Sequence, residues 1–222
     1  MSMYLSSPFR QLFYGTLCLM SLSCSVLEPG GKSKHQAPAR SMPNVTVTGI
    51  LATQNSGPAE VIFIRHGEKP SVGDDLNDKG YQRAQLLVNY FKTSPDVTAF
   101  GAPVAIYAMA RPHQNSGSLR AIETVTPLAL SLGLTVNTSY LKDDYQAMIK
   151  DIMSHPEYSG KMVLICWEHA VIPEILDGFG YTGAPQEWPG SNYFDRTWVL
   201  DFADNRPSTF HDYNQHLFAD DQ

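Results

Sequence analysis

The stretch VIFIRHGEKP, residues 61–70, constrains the fold more than any other part of this chain. Val61 to Ile64 are apolar and rich in β-branched types, which is typical of a strand buried on both faces in a parallel sheet. Gly67 ends that run directly after Arg65 and His66. Ligands of open α/β sheets collect beyond the carboxyl ends of such strands, so we expect these two side chains to stand at a functional site.

Length and composition favour one globular domain with a substantial core. The chain has 222 residues, of which 43% are hydrophobic and 17% are charged. The formal net charge of −6 argues against nucleic acid as a partner. Any anion that binds this protein must therefore be attracted by a local group of cations.

Residues 1–27 are predicted to be an export signal. Arg10 precedes the apolar stretch 12–27, which is too short and too polar for a comfortable membrane span. Cys24 follows LMSLS, which resembles a lipobox except that Ser21 stands where Leu is usual, so a lipid anchor through Cys24 and an ordinary cleaved signal are equal alternatives. The protein is expected to be exported: periplasmic, secreted or anchored to a membrane as a lipoprotein.

The composition then changes to that of a flexible linker, predicted over residues 28–58. Strand and helix signals alternate after it, which predicts a mostly parallel sheet covered by helices over a domain of residues 59–210. The strands are predicted at 61–65, 103–108, 134–136 and 162–166, and the helices near 78–92, 118–132 and 143–153. Residues 211–222 are predicted to be a polar carboxyl-terminal tail.

Two further segments end in groups that suit a basic pocket. SLRAIETVTPLAL places Arg120 in the first turn of a helix, where a cation is unfavourable unless an anion shares the helix N-terminus. KMVLICWEHAVIPEIL repeats the opening arrangement, because a buried strand is followed by Glu168 and His169. Two strands therefore deliver one histidine each, with Arg65 and Arg120 around them.

These motifs, together with LNDKGYQRAQLL, resemble the histidine phosphatase superfamily, which includes the cofactor-dependent phosphoglycerate mutases. The resemblance covers about residues 60–202 and includes NYFDRTWVLDF as the closing strand. It implies a three-layer α/β/α sandwich. It also implies that His66 is a phosphorylated nucleophile, that Arg65 and Arg120 clamp phosphate, and that His169 holds the phosphoryl oxygens.

The proton donor for the leaving group is less clearly marked in the sequence. Ala170 stands where one branch of the family has Asp, so Glu168 is the first candidate. Asp143 and Asp144 follow, although both also suit the N-terminus of a helix. Glu68 is interpreted equally well as a partner of an arginine.

The leading prediction is a phosphomonoester hydrolase that acts on a small phosphorylated substrate without a cofactor or metal. Two alternatives stay open: a phosphoglycerate mutase-like phosphotransferase, and a non-catalytic phosphate-binding protein with the same fold. The sequence identifies neither the substrate nor the oligomeric state.

Overall fold

The computed structural model describes residues 57–113 and 116–221. The predicted export signal, Cys24 and the linker up to residue 56 lie outside the described residues, so export and lipidation stay predictions. Within these two ranges, no helix combines the length and the apolar character needed to cross a membrane.

The centre of the domain is a six-stranded mixed sheet with the order β3-β2-β4-β1-β5-β6. The neighbouring strands from β3 to β1 run parallel, whereas β5 and β6 are antiparallel to their neighbours. The strands are β1 (Glu60–Arg65), β2 (Ala105–Ala108), β3 (Val136–Asn137), β4 (Met162–Trp167), β5 (Arg196–Ala203) and β6 (Arg206–Asn214). The prediction of a mostly parallel sheet is confirmed.

Helices cover both faces of this sheet. The helices are α1 (Asp78–Thr93), α2 (Arg120–Leu132), α3 (Tyr145–Ser154) and α4 (Ile172–Gly178). Every residue of β1 and β4 is buried, while α1 packs with α2 and α3 packs with α4. A central strand buried on both faces needs a helix layer on each side, so the predicted three-layer sandwich is confirmed.

Helix α1 forms as its sequence predicts and brings its N-terminus against the loop that follows β1. Asn77 caps the helix, because its Oδ1 accepts a hydrogen bond from Gly80 N at 2.9 Å. Leu87 and Phe91 are buried on the apolar face. A Cβ at Gly80 would lie 2.4 Å from the Glu68 carbonyl oxygen, so only glycine permits this close approach.

The carboxyl end differs from the prediction, because the boundary at residue 210 falls inside β6 and the expected polar tail is part of the fold. Asp204 and Asn205 both adopt positive φ, at 51° and 61°, and form the hairpin turn between β5 and β6. β6 is an edge strand with no fully buried residue, so it lacks the apolar run that marks the central strands. The last residues, 215–221, then pack back on the domain: Gln215 is buried and Asp221 pairs with Arg83.

A buried carboxyl group at the start of β1 predicts a pH-dependent stability. Burial, and to a smaller extent the charge of its neighbour Asp201 on β5, raises the pKa of Glu60 from 4.5 to about 7. The folded protein therefore holds a proton that the unfolded chain releases between these pH values. The stabilising contribution is complete below about pH 4.5 and is lost as the pH rises through 7.

We expect Glu60→Gln to be more stable than the wild type at pH 8, by on the order of 1–3 kcal/mol, because the amide cannot ionise. The difference should shrink towards pH 5. Urea unfolding at both pH values measures it, with the exposed Glu187→Gln as the matched control. If Glu60→Gln and the wild type differed in stability by the same amount at pH 5 and at pH 8, the raised pKa of Glu60 would be contradicted.

Candidate active site

The pairing of β1 with β4 brings the two histidine motifs together. Arg65 lies opposite Trp167 in the parallel register, and His66 N donates to the Trp167 carbonyl at 3.3 Å. His66 and the pair Glu168 and His169 therefore leave the same edge of the sheet from adjacent strands. This is the carboxyl edge, where the sequence predicts the site.

His66 is held in one orientation and one tautomer. The ring is 4% exposed, and Nδ1 lies 2.7 Å from the Gly67 carbonyl oxygen. Because a carbonyl can only accept, Nδ1 carries the hydrogen and Nε2 carries the lone pair of the neutral ring.

The charge state of His66 agrees with that arrangement. Burial is the largest cause that lowers the pKa of His66, to about 4, and the positive charges of Arg65, of Arg120 and, when it is protonated, of His169 lower it as well. The hydrogen bond to Gly67 acts in the opposite direction. Burial therefore acts on this pKa more strongly than either arginine does.

Helix α2 fixes the loop that follows His66. Gly67 N donates to Thr124 Oγ1 at 2.8 Å, and Thr124 Oγ1 donates to the Arg120 carbonyl at 2.7 Å. Thr124 is fully buried. This threonine connects the loop after β1 with the first turn of α2 and was not predicted from the sequence, where it looks like any helix residue.

Arg65 is buried and oriented by the loop before β5. Its Nη1 donates to the Ser191 carbonyl at 2.9 Å and to the Tyr193 carbonyl at 3.2 Å, while the guanidinium lies 4.0 Å from the centre of the Phe194 ring. Burial lowers the pKa of Arg65 to about 10, so it stays charged at neutral pH. Its Nε is buried without a hydrogen-bond partner, which leaves a fixed donor for a ligand.

Arg120 lies at the first position of α2, as predicted, but its side chain is half-exposed and held by a loop. Nε donates to the Asp75 carbonyl at 3.2 Å, and Nη2 donates to the Gly73 carbonyl. Its charge still acts on His66. To contact an oxyanion beside His66, Arg120 would exchange one of these carbonyl partners for the anion.

His169 and Glu168 form a charged group with Lys142. Glu168 Oε2 lies 3.1 Å from Lys142 Nζ, and Glu168 Oε1 lies 3.5 Å from His169 Nδ1. Partial burial acts to raise the pKa of Glu168, but Lys142 and His169 outweigh it, so the net pKa lies below its ordinary value. Burial, assisted by Arg65, lowers the pKa of His169. Glu168 is thus ionised and His169 is neutral at pH 7 before a ligand binds.

Glu68 is the partner of an arginine, as one of its two interpretations predicted. Arg83 Nη2 donates to Glu68 Oε1 at 2.7 Å and to Asp221 Oδ1 at 2.5 Å. Arg83 is buried on α1, and the Phe218 ring centre lies 5.0 Å from its guanidinium. We call residues 215–221 the carboxyl-terminal strap.

The two remaining acid candidates lie near the start of α3. Asp144 occupies the N-cap position of this helix, and its Oδ2 accepts a hydrogen bond from Leu141 N at 3.1 Å. The helix-terminus interpretation of Asp144 is therefore confirmed. Asp143 and Asp144 are exposed, and both line a cleft that also includes Lys142.

Solved structures similar to this chain include a phosphoglycerate mutase and two phosphatases. Phosphoglycerate mutase from Plasmodium falciparum is 17% identical, with a TM-score of 0.46, over 70% of this chain and 90% of that one. Phosphoserine phosphatase from Entamoeba histolytica in complex with 3-phosphoglyceric acid is 15% identical, with a TM-score of 0.46, over 72% and 99%. The protein histidine phosphatase SixA complexed with tungstate is 16% identical, with a TM-score of 0.46, over 70% and 97%.

The identities lie below 25% and the TM-scores below 0.5, so these similarities assign no function to this chain. No protein-family model and no curated protein matches the sequence. The roles of the site residues must therefore be argued from this chain's own motifs and geometry.

The charges around His66 predict its titration. Nuclear magnetic resonance of the free protein should give a pKa of about 4 for His66. Arg120→Gln should move this pKa upward, because a positive charge that opposes protonation is removed.

Arg206→Gln is the matched control, because Arg206 is exposed and begins β6 at the far edge of the sheet. It should leave the pKa of His66 unchanged. A His66 pKa near 6.5 in the wild type would show that the ring is neither desolvated nor flanked by cations.

Proposed function

We propose that this protein is a phosphomonoester hydrolase that acts through a covalent phosphohistidine on His66. The observation that carries the proposal is the hydrogen bond from His66 Nδ1 to the Gly67 carbonyl. It leaves the lone pair on Nε2 of a buried ring on which the charges of Arg65 and Arg120 act. A neutral, oriented imidazole beside cations is what attack on a phosphoryl group requires.

In the first step, His66 Nε2 attacks phosphorus and the phosphorus–oxygen bond to the alcohol breaks with its electron pair on oxygen. The ring becomes a cation, whose Nδ1 hydrogen stays bonded to the Gly67 carbonyl. Two buried nitrogens without hydrogen-bond partners, Arg65 Nε and His169 Nδ1, are suited to donate to the phosphoryl oxygens. His169 does so in the state in which Nδ1 carries a hydrogen. Arg120 adds charge at the N-terminus of α2.

In the second step, water attacks the phosphohistidine and the nitrogen–phosphorus bond breaks. The electron pair returns to Nε2, the water gives its proton to the Glu168 carboxylate, and inorganic phosphate leaves. His66 is then neutral again, and the net reaction consumes one water for each ester. The low pKa of His66 assists this return, because the free ring does not retain a proton at neutral pH.

The alcohol that leaves in the first step needs a proton, and Glu168 is our proposed donor. Lys142 keeps Glu168 ionised in the free protein. A phosphate dianion arriving beside His169 brings negative charge close to Glu168, which raises the pKa of a carboxyl group. Glu168 would therefore gain its proton as substrate binds and give it to the leaving oxygen.

The covalent step predicts a phosphorylated His66 during turnover. Brief incubation with labelled substrate and an alkaline quench, which preserves a nitrogen–phosphorus bond, should leave label on the peptide that contains RHGEK. His66→Ala should abolish both label and turnover. Arg65→Ala should slow turnover by about 10²-fold or more, because a fixed donor to the developing charge is lost.

His211→Ala, on the edge strand β6, is the control and should keep both label and rate. Native hydrolysis by His66→Ala would refute the phosphohistidine mechanism. Transfer of the label to a second alcohol rather than to water would instead indicate a phosphotransferase, and phosphate binding without turnover would indicate a binding protein.

The proton donor is tested by comparing leaving groups. Glu168→Gln should slow hydrolysis of alkyl phosphates by about 10²-fold or more but slow p-nitrophenyl phosphate much less, since p-nitrophenolate leaves without protonation. The readout is the ratio of the two kcat/KM values. Equal losses on both substrates would assign Glu168 to positioning Lys142 and His169 instead.

A further inference from the structure

A cleft of about 450 Å³ opens beside the candidate active site, between the loop after β2 and the segment before α3. This volume falls within the range of roughly 300–1,000 Å³ that is usual for small-molecule sites. Its walls include Met109, Pro112, Leu141, Lys142, Asp143 and Asp144.

Lys142 connects the cleft with the candidate active site. Lys142 lines the cleft and also pairs with Glu168, which in turn lies 3.5 Å from His169. The Lys142 carbonyl accepts a hydrogen bond from Trp167 Nε1 at 3.1 Å, so the cleft wall is fixed to the end of β4. An ester whose phosphoryl group lies beside His66 and His169 would therefore extend its alcohol towards this cleft.

The walls of the cleft define the chemistry of that alcohol. Met109, Pro112 and Leu141 provide an apolar surface, and Leu141 is 41% exposed although it is a large apolar residue. The positive charge of Lys142 is compensated by Glu168. The carboxylates of Asp143 and Asp144 then give the cleft a net negative charge.

We infer that this cleft binds the alcohol part of the substrate and selects an apolar alcohol that carries a cationic amino group. The inference rests on the proposed phosphatase function and adds a substrate class to it. The apolar walls bind the carbon skeleton, and Asp143 and Asp144 attract the ammonium group. The same carboxylates repel alcohols that carry a carboxylate or a second phosphate.

Three phenyl phosphates that differ only in the para substituent test this inference on the full chain. The substituents are aminomethyl, hydrogen and carboxylate, so the probes differ in charge at one position. We expect kcat/KM to be highest for the aminomethyl ester and lowest for the carboxylate ester. Each charge step should change kcat/KM by about 3- to 30-fold, the range for charges several ångströms apart in partly exposed surroundings.

The double variant Asp143→Asn, Asp144→Asn should remove most of the difference in kcat/KM among the three esters. Asparagine is also a good N-cap residue, so α3 should keep its start. Comparing variant with wild type on the same ester cancels the intrinsic reactivity of that ester. The double variant Asp177→Asn, Asp204→Asn removes the same number of exposed charges outside the cleft and should keep the order.

The outcomes separate this inference from the proposed function. Equal hydrolysis of the three esters, or an order that survives Asp143→Asn, Asp144→Asn, would overturn the cleft assignment and leave the phosphatase intact. If no ester is hydrolysed, the proposed function fails. The cleft assignment can still be tested by comparing the binding of 4-hydroxybenzylamine with that of 4-hydroxybenzoate, measured by the chemical shifts of the cleft residues. If the protein prefers the amine and loses this preference in the variant Asp143→Asn, Asp144→Asn, the cleft assignment is supported. If it shows no preference, the cleft assignment is overturned.

Discussion

The parallel pairing of β1 with β4 is the constraint on which the rest of the site depends. It fixes Arg65 opposite Trp167, so the residues that follow each strand emerge side by side at the same edge. A shift of the register by one residue would turn every buried side chain of β1 to the opposite face, and the core would not tolerate it. The same interactions that bury Val61 to Ile64 therefore also place His66 beside His169.

The candidate site also requires that its charged groups stay paired although they are buried. Arg65 and His66 are almost completely buried, and the carbonyl groups of residues 191 and 193 replace the water that Arg65 loses. Because the same burial keeps His66 neutral, no neighbouring base is needed to make its lone pair available. Oriented backbone carbonyls thus hold both the charge of Arg65 and the tautomer of His66.

Much of the fold could be predicted because its central elements combine a local pattern with burial. β1, β4 and α1 each have an apolar run or stripe and a clear start or end, and each was located to within a few residues. β6 was missed because an edge strand with half-exposed residues has no such pattern. The Glu68–Arg83 pair was one of two interpretations, since the sequence alone cannot tell which arginine faces a carboxylate.

The site was predictable only in its motif residues. Arg65 ends β1, and His66, Glu168 and His169 directly follow strands, so their placement could be predicted. The residues Thr124, Lys142 and Phe194 contact this candidate site from elements distant in sequence. Their residue types are common and nothing local distinguishes them. Arg120 was placed correctly on α2, but the Gly73 and Asp75 carbonyls that hold its side chain belong to a loop without a readable pattern.

The carboxyl-terminal strap has a consequence for how the domain folds. Arg83 is buried on α1, and its partner Asp221 lies 138 positions later in the sequence. Before the strap docks, this guanidinium would be buried with Glu68 as its one carboxylate partner among the described residues, which is a costly state for a charge. The loop that carries His66 is thus held to α1 through a guanidinium that needs the strap for its second carboxylate.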